Sequence, residues 1–171
     1  IARDVALRLE HPERDGLEAL VRNDERLPID GVVQLSLDSF VSVAFIRFER
    51  RCIVERVRVL CSVPVAELRS KPDDFGYLLT DFEKRGIPVG VHDATLDDLA
   101  DEALPFARLK LVSVELRAGD PAMAARARTR ASSSLLHVGR LKTAIRGVDT
   151  PQQLSFVQGL GCVLMSGRAA A

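Results

Sequence analysis

Short apolar, β-branched runs alternate with longer amphipathic stretches along most of this chain, and that alternation narrows the fold more than any other feature. Strands are predicted at Val5–Leu9, Val32–Leu37, Val57–Val63, Ile87–His92, Arg108–Val114, Lys142–Val148 and Cys162–Met165. Several are apolar on both faces, as strands covered on both sides are. Helices are predicted at Ser39–Val54, Ala66–Arg85, Thr95–Leu104, Pro121–Val138 and Pro151–Leu160. The last has a full start signal: Thr150 as cap, Pro151 at the first helical position, and Gln153 completing a Thr-x-x-Gln box. Gly86 stands where the helix before Ile87 should stop. Repeated strand–helix alternation implies an α/β fold, a parallel sheet with right-handed helical crossovers. An open doubly wound sheet and a closed (β/α) barrel both satisfy it. No GxGxxG or GxxxxGK[ST] follows a strand, so the nucleotide-binding reasons to prefer an open sheet are missing.

Composition removes several classes of function. Apolar residues make up 47% and charged residues 28%, a globular balance, and 24 basic side chains cancel 24 acidic ones. A net charge near zero exerts no general pull on nucleic acid or an anionic membrane, so an anion site must be local. No apolar run approaches the roughly 18 residues that a membrane span needs. Cys52, Cys61 and Cys162 form no CxxC pair and read as small buried hydrophobes in a reducing, cytoplasmic compartment. The 171 residues suit one domain, 1–171, and the first residue, Ile1, suggests a piece of a longer protein.

Functional groups in parallel α/β folds gather at the C-terminal ends of the strands. Those ends hold Gln34 and Ser36, Cys61 and Ser62, His92 and Asp93, Arg146 and Asp149, and Ser166 with Arg168; Lys110 lies within its predicted strand. The set is poor in carboxylates. A two-metal hydrolase needs several hard oxygen ligands converging from different strands, and this ring cannot supply them. His92 and Asp93 could form an acid–base pair, or simply a hydrogen-bonded strand end. Cys61 reads as a buried small residue rather than a nucleophile. Lys110, within an apolar strand, should pair with an acid such as Asp93 or face the mouth of the fold. Arg126, Arg128 and Arg130 read as a solvated helix face.

The same strand ends carry a resemblance. Gly147-Val148-Asp149-Thr150-Pro151-Gln152-Gln153-Leu154, followed by Gly159-Leu160-Gly161-Cys162, resembles the EGVET-x-x-QL and LGC segments of EAL domains, the cyclic di-GMP phosphodiesterase module. Lys84 to Asp93 resembles the strand leading into that family's DDFGTG, Leu109-Lys110-Leu111 its LKID, and Val33-Gln34-Leu35-Ser36 its NLS strand. Val59-Leu60-Cys61 resembles the strand with a metal-binding Glu, and Gly16-Leu17-Glu18-Ala19-Leu20-Val21-Arg22 the naming motif. Asp73-Asp74-Phe75-Gly76 also spells DDFG, but it precedes an amphipathic stretch and reads as a helix-start or turn segment.

The resemblance implies a TIM-like (β/α) barrel of EAL type. Leu17–Val21 reads as a strand or a helix turn; as a strand it stands too close to Val32–Leu37 for a parallel crossover, so either that segment is helical or the barrel is shortened or incomplete near the N-terminus. It also implies a catalytically inactive member. Where the family has metal-binding Asn, Glu, Asp and Glu this chain has Gln34, Cys61, His92 and Arg146, while Val112 and Ser166 replace its LKID Asp and QGY Gln. A guanidinium stays charged at any cellular pH and repels a metal. The expectation is therefore a regulatory domain in cyclic di-GMP signalling without cofactor or metal, either a nucleotide receptor or a protein-interaction module; the alternative is a purely structural, dimerising domain. Candidate nucleotide-binding residues are Glu18, Arg22, Gln34, His92, Asp93, Lys110, Arg146 and Asp149. The partners expected are cyclic di-GMP and a protein or a second copy, not nucleic acid.

Overall fold

The computed structural model describes residues 30–101, 103–116, 143–162 and 164–170. The predicted strand Val5–Leu9, the Leu17–Val21 motif with Glu18 and Arg22, and the helix Pro121–Val138 with its arginines lie outside the described residues. The chain divides into two compact units, Ile1–Val89 and Gly90–Ala171.

In the first unit β1 (Asp30–Gln34) pairs in parallel with β2 (Arg58–Pro64), from Asp30 opposite Arg58 to Gln34 opposite Ser62. The helix expected at Ser39–Val54 is two helices, α1 (Leu37–Phe40) and α2 (Val43–Glu55). Ser42 separates them: its backbone is extended, and its hydroxyl accepts from Phe45 N–H at 3.1 Å as an N-cap. The helix expected at Ala66–Arg85 is likewise divided into α3 (Val65–Ser70) and α4 (Pro72–Arg85). Pro72 forbids helical geometry at Lys71, which sits at φ −133°, ψ 59°. Asp73 and Asp74 fall in the first turn of α4, so this DDFG is a helix start, as its context implied. Gly86 ends α4 at φ +72°. The core of this unit is aromatic. Phe82 lies against Phe45 (ring centroids 5.6 Å apart, nearly parallel) and edge-on to Phe40 at 5.4 Å.

The second unit is built on β3 (Val89–Ala94), β4 (Leu111–Glu115), β5 (Thr143–Arg146) and β6 (Leu164–Met165), paired in parallel and in chain order. α5 (Pro151–Leu160) follows β5 and has the predicted capping box. Gln153 N–H donates to Thr150 Oγ1 at 3.2 Å, and Gln153 Oε1 accepts from Thr150 N–H at 2.9 Å.

Among the described residues of the stretch 95–104 the expected α-helix does not form. Asp98 Oδ2 instead accepts from Thr95 N–H (2.6 Å) and its hydroxyl (2.7 Å), and only short 3₁₀ turns follow, Asp98–Ala100 and Phe106–Arg108. Side chains that bond locally to backbone compete with helix, and Pro105 closes off the remaining length.

Candidate functional site

The strand ends of the second unit form the candidate site. Here β3 is irregular: its register with β4 shifts between Val91 and Ala94, and Asp93 adopts φ +57°. A non-glycine residue in the left-handed region of a strand is strained, and such strain concentrates at functional sites. The bulge turns the Asp93 carboxylate outward, 59% exposed, and leaves the His92 ring buried with Nε2 3.8 Å from Asp93 Oδ2.

Across the next pair, Glu115 ends β4 opposite Arg146 at the end of β5. Arg146 Nε lies 3.7 Å from Glu115 Oε2, both side chains half-buried. One residue on, Gly147 adopts φ +75° with its Cα so close to Leu116 that a Cβ would lie 2.5 Å from the Leu116 carbonyl oxygen. Only glycine allows this crossing. After β6 the chain is pinned similarly. Val148 N–H donates to the Ser166 carbonyl at 3.1 Å, and a Cβ on Gly167 would meet Val148 backbone at 2.4 Å. This pinning delivers Arg168 to Asp149. Asp149 Oδ1 accepts from Arg168 backbone N–H at 2.9 Å and lies 3.5 Å from its guanidinium. The backbone hydrogen bond chiefly, with the Arg168 charge, holds the Asp149 carboxyl below its ordinary value.

Asp93, Arg146 and Asp149 thus stand at the C-terminal ends of parallel strands, with His92 buried beneath Asp93. Lys110 does not join them, which corrects the expectation that it converges with Arg146 and pairs with Asp93. Phe106 and Leu109 bury themselves in a 3₁₀ turn, and the strand begins only at Leu111. Lys110 therefore lies exposed before β4, while Arg146 closes β5; five residues of register separate those levels, about 16 Å along the strands. Arg146 and Asp149 are not each other's partners either. Glu115 and Arg168 take those roles. Glu115 ends an apolar run and gave no separate signal, because its contact depends on sheet register.

In the first unit Gln34 ends β1 opposite Ser62, two residues before the end of β2, and Leu35 N–H donates to the Ser62 carbonyl at 3.0 Å. Cys61 is buried (2% exposed), and burial first, with neighbouring Cys52 and Glu49 adding, pushes its thiol far above the ordinary range. It is a core residue, not a poised nucleophile.

Among the described residues the donors at this rim do not fit the divalent ions that the resemblance implies. Among the described residues no three of His, Cys, Asp and Glu gather as a metal site requires, and the rim carries a guanidinium at Arg146. Among the described residues no helix is long and apolar enough to cross a membrane.

No family model matches the chain, and no curated protein matches it. Solved structures do. The chain is similar to the PaMucR phosphodiesterase in its c-di-GMP complex, with TM-score 0.59 and 17% identity over 81% of this chain and 59% of that one. It is also similar to the apo S helix-GGDEF-EAL portion of Vibrio cholerae LapD, with TM-score 0.63 and 16% identity over 91% of this chain and 39% of that one. The chain thus spans less than two thirds of either. At such identities the likeness is one of fold, and it is the fold the motifs led us to expect: an α/β arrangement of parallel strands and covering helices of the TIM-like EAL type.

Proposed function

We propose that this chain is a non-catalytic, cytoplasmic EAL-like domain of cyclic di-GMP signalling that acts by contacting a protein rather than by turning over nucleotide. The observation that carries this is the Arg146–Glu115 pair at the strand-end rim. A fixed cation stands where the resemblance calls for a metal ligand, and the carboxylate beside it is already engaged. Without a bound metal there is no activated water, and the hydrolysis on which EAL enzymes rely has no nucleophile. Nucleotide binding through the rim cations is the weaker reading, since Arg146 and Arg168 are both turned toward carboxylates and Lys110 lies at the other end of the strands.

Calorimetric titration with cyclic di-GMP, with and without Mg²⁺, tests the choice. The expected result is no heat and no thermal shift. Saturable heat without Mg²⁺, weakened by added salt and by Arg146→Ala, would make the domain a nucleotide receptor instead.

A further inference from the structure

Helix α2 is apolar on two opposite sides. Ala44, Phe45, Phe48 and Cys52 are buried in the first unit, as one face of a covering helix should be. On the other side Val43 (61% exposed), Ile46 (43%), Ile53 (69%) and Val54 (80%) face solvent. At 3.6 residues per turn, these four and the exposed Arg47 and Arg50 fall within an arc of about 120°. Helix α4 has no such second face; Asp81, Glu83, Lys84 and Arg85 dominate its outer side. A helix with apolar residues at i, i+3, i+10 and i+11 on its outer face marks an interaction surface.

The stripe ends at a cavity. Ile53 also forms part of the wall of a cleft of about 390 Å³, lined chiefly by Phe45, Phe48, Cys52, Val59 and Ile87. A Glu49–Arg85 ion pair stands at its edge. The cleft is large enough for one bulky apolar side chain, and an anchor in a desolvated pocket is where interfaces concentrate their affinity.

The geometry points to a docking groove for an acidic amphipathic helix of a partner protein, its apolar stripe laid along α2, one large apolar side chain in the cleft, and carboxylates facing Arg47 and Arg50. This rests on the protein-contact reading above and names the partner's chemistry. Charge decides between occupants. No ion pair engages Arg47 or Arg50 among the described residues; Arg50 lies inside the apolar arc, and Arg47 lies at its edge, beside Val54. A second copy is disfavoured. Packed antiparallel about the middle of the stripe, Arg47 would face Arg50 of the other copy; packed parallel, each arginine would face itself. A membrane surface is disfavoured as well, because interfacial helices keep cations on the polar face, whereas Arg50 lies near the axis of this stripe. An acidic helix satisfies both the apolar and the cationic positions in the groove-binding mode.

The test uses the full chain and a fluorescein-labelled helical peptide of about 16 residues, long enough to span the stripe. The peptide carries Leu at i, i+4 and i+7, one Trp anchor, and Glu at the flanking positions. Saturable anisotropy is expected, weakened about tenfold or more by Arg47→Glu with Arg50→Glu, by Ile53→Asp, and by Trp→Ala in the peptide. These substitutions lie on solvent-facing positions, so the circular dichroism spectrum should stay that of the parent. A peptide with Lys at every Glu should not bind. Absence of saturation, equal binding of the Lys peptide, or indifference to the arginine reversal overturns the proposal. So does co-sedimentation with phosphatidylserine vesicles in place of peptide binding, or a dimer dissolved by Ile53→Asp. Cyclic di-GMP turnover would overturn the regulatory reading while leaving the groove standing; peptide failure without turnover overturns the groove alone.

Discussion

Arg146 and Glu115 face each other across adjacent parallel strands, the guanidinium Nε 3.7 Å from the carboxylate Oε2, at the end of the sheet where α/β folds place their chemistry. The pair explains how a permanent cation is accommodated at this rim.

Because both side chains are partly exposed, the pair should contribute little to stability, about 0.2–1 kcal/mol. A double-mutant cycle of Arg146→Ala and Glu115→Ala, read by urea denaturation, should give a coupling in that range and shrink with salt. A coupling near zero at low salt would mean that the pair does not form in solution.

Gly147 and Gly167 should be the least tolerant glycines of the rim. Alanine at either drives a Cβ to 2.5 or 2.4 Å from backbone atoms, and backbone cannot swing aside as a side chain can. Each substitution should cost about 2 kcal/mol or more. Gly86→Ala, whose Cβ would meet nothing within 4 Å, carries only left-handed strain and should cost about 1 kcal/mol. Thermal denaturation of the three variants checks the order.

The Asp149 carboxyl is held below its ordinary value by the Arg168 backbone N–H and charge. A depressed folded-state value means that the contribution is complete above the unfolded value, about 3.9, and is lost as pH falls through the lower folded one. Melting temperatures of the parent and of Asp149→Asn should therefore differ near neutrality and converge in acid. A gap that widens toward low pH would contradict the assignment.

Burial, with Glu55 adding, pushes the Cys52 thiol up to about 11, and Cys61 lies higher still. Neither should react with an aromatic disulfide reagent at pH 8 in the folded protein, and both should react promptly in guanidinium chloride. Rapid labelling of Cys61 in the native state would mean that the strand is not packed as described.

What was legible in the sequence was what is local. Thr150-Pro151-x-Gln153 carries its own capping chemistry, and α5 begins where that box predicts. Gly86 likewise stops α4. Expectations failed where neighbouring forces competed. Ser42 as a cap, Pro72 as a breaker and Asp98 as a local acceptor each overrode an amphipathic pattern that read as continuous helix. Lys110 was misplaced because alternation over Arg108–Val114 cannot reveal that Phe106 and Leu109 anchor a 3₁₀ turn, delaying the strand to Leu111. The partners of Arg146 and Asp149 depend on which strand lies beside which, and no pattern within one segment contains that. The resemblance pointed to the α/β fold that the comparison shows; the pairing chemistry became visible only with sheet register.

The measurement closest to the central claim is turnover of cyclic di-GMP by the purified chain in the presence of Mg²⁺ or Mn²⁺, followed by chromatography of the linear product. No product above a protein-free blank is expected, because Arg146, paired with Glu115, stands at the rim where the resemblance calls for a metal ligand. Metal-dependent turnover abolished by Glu18→Ala would contradict it.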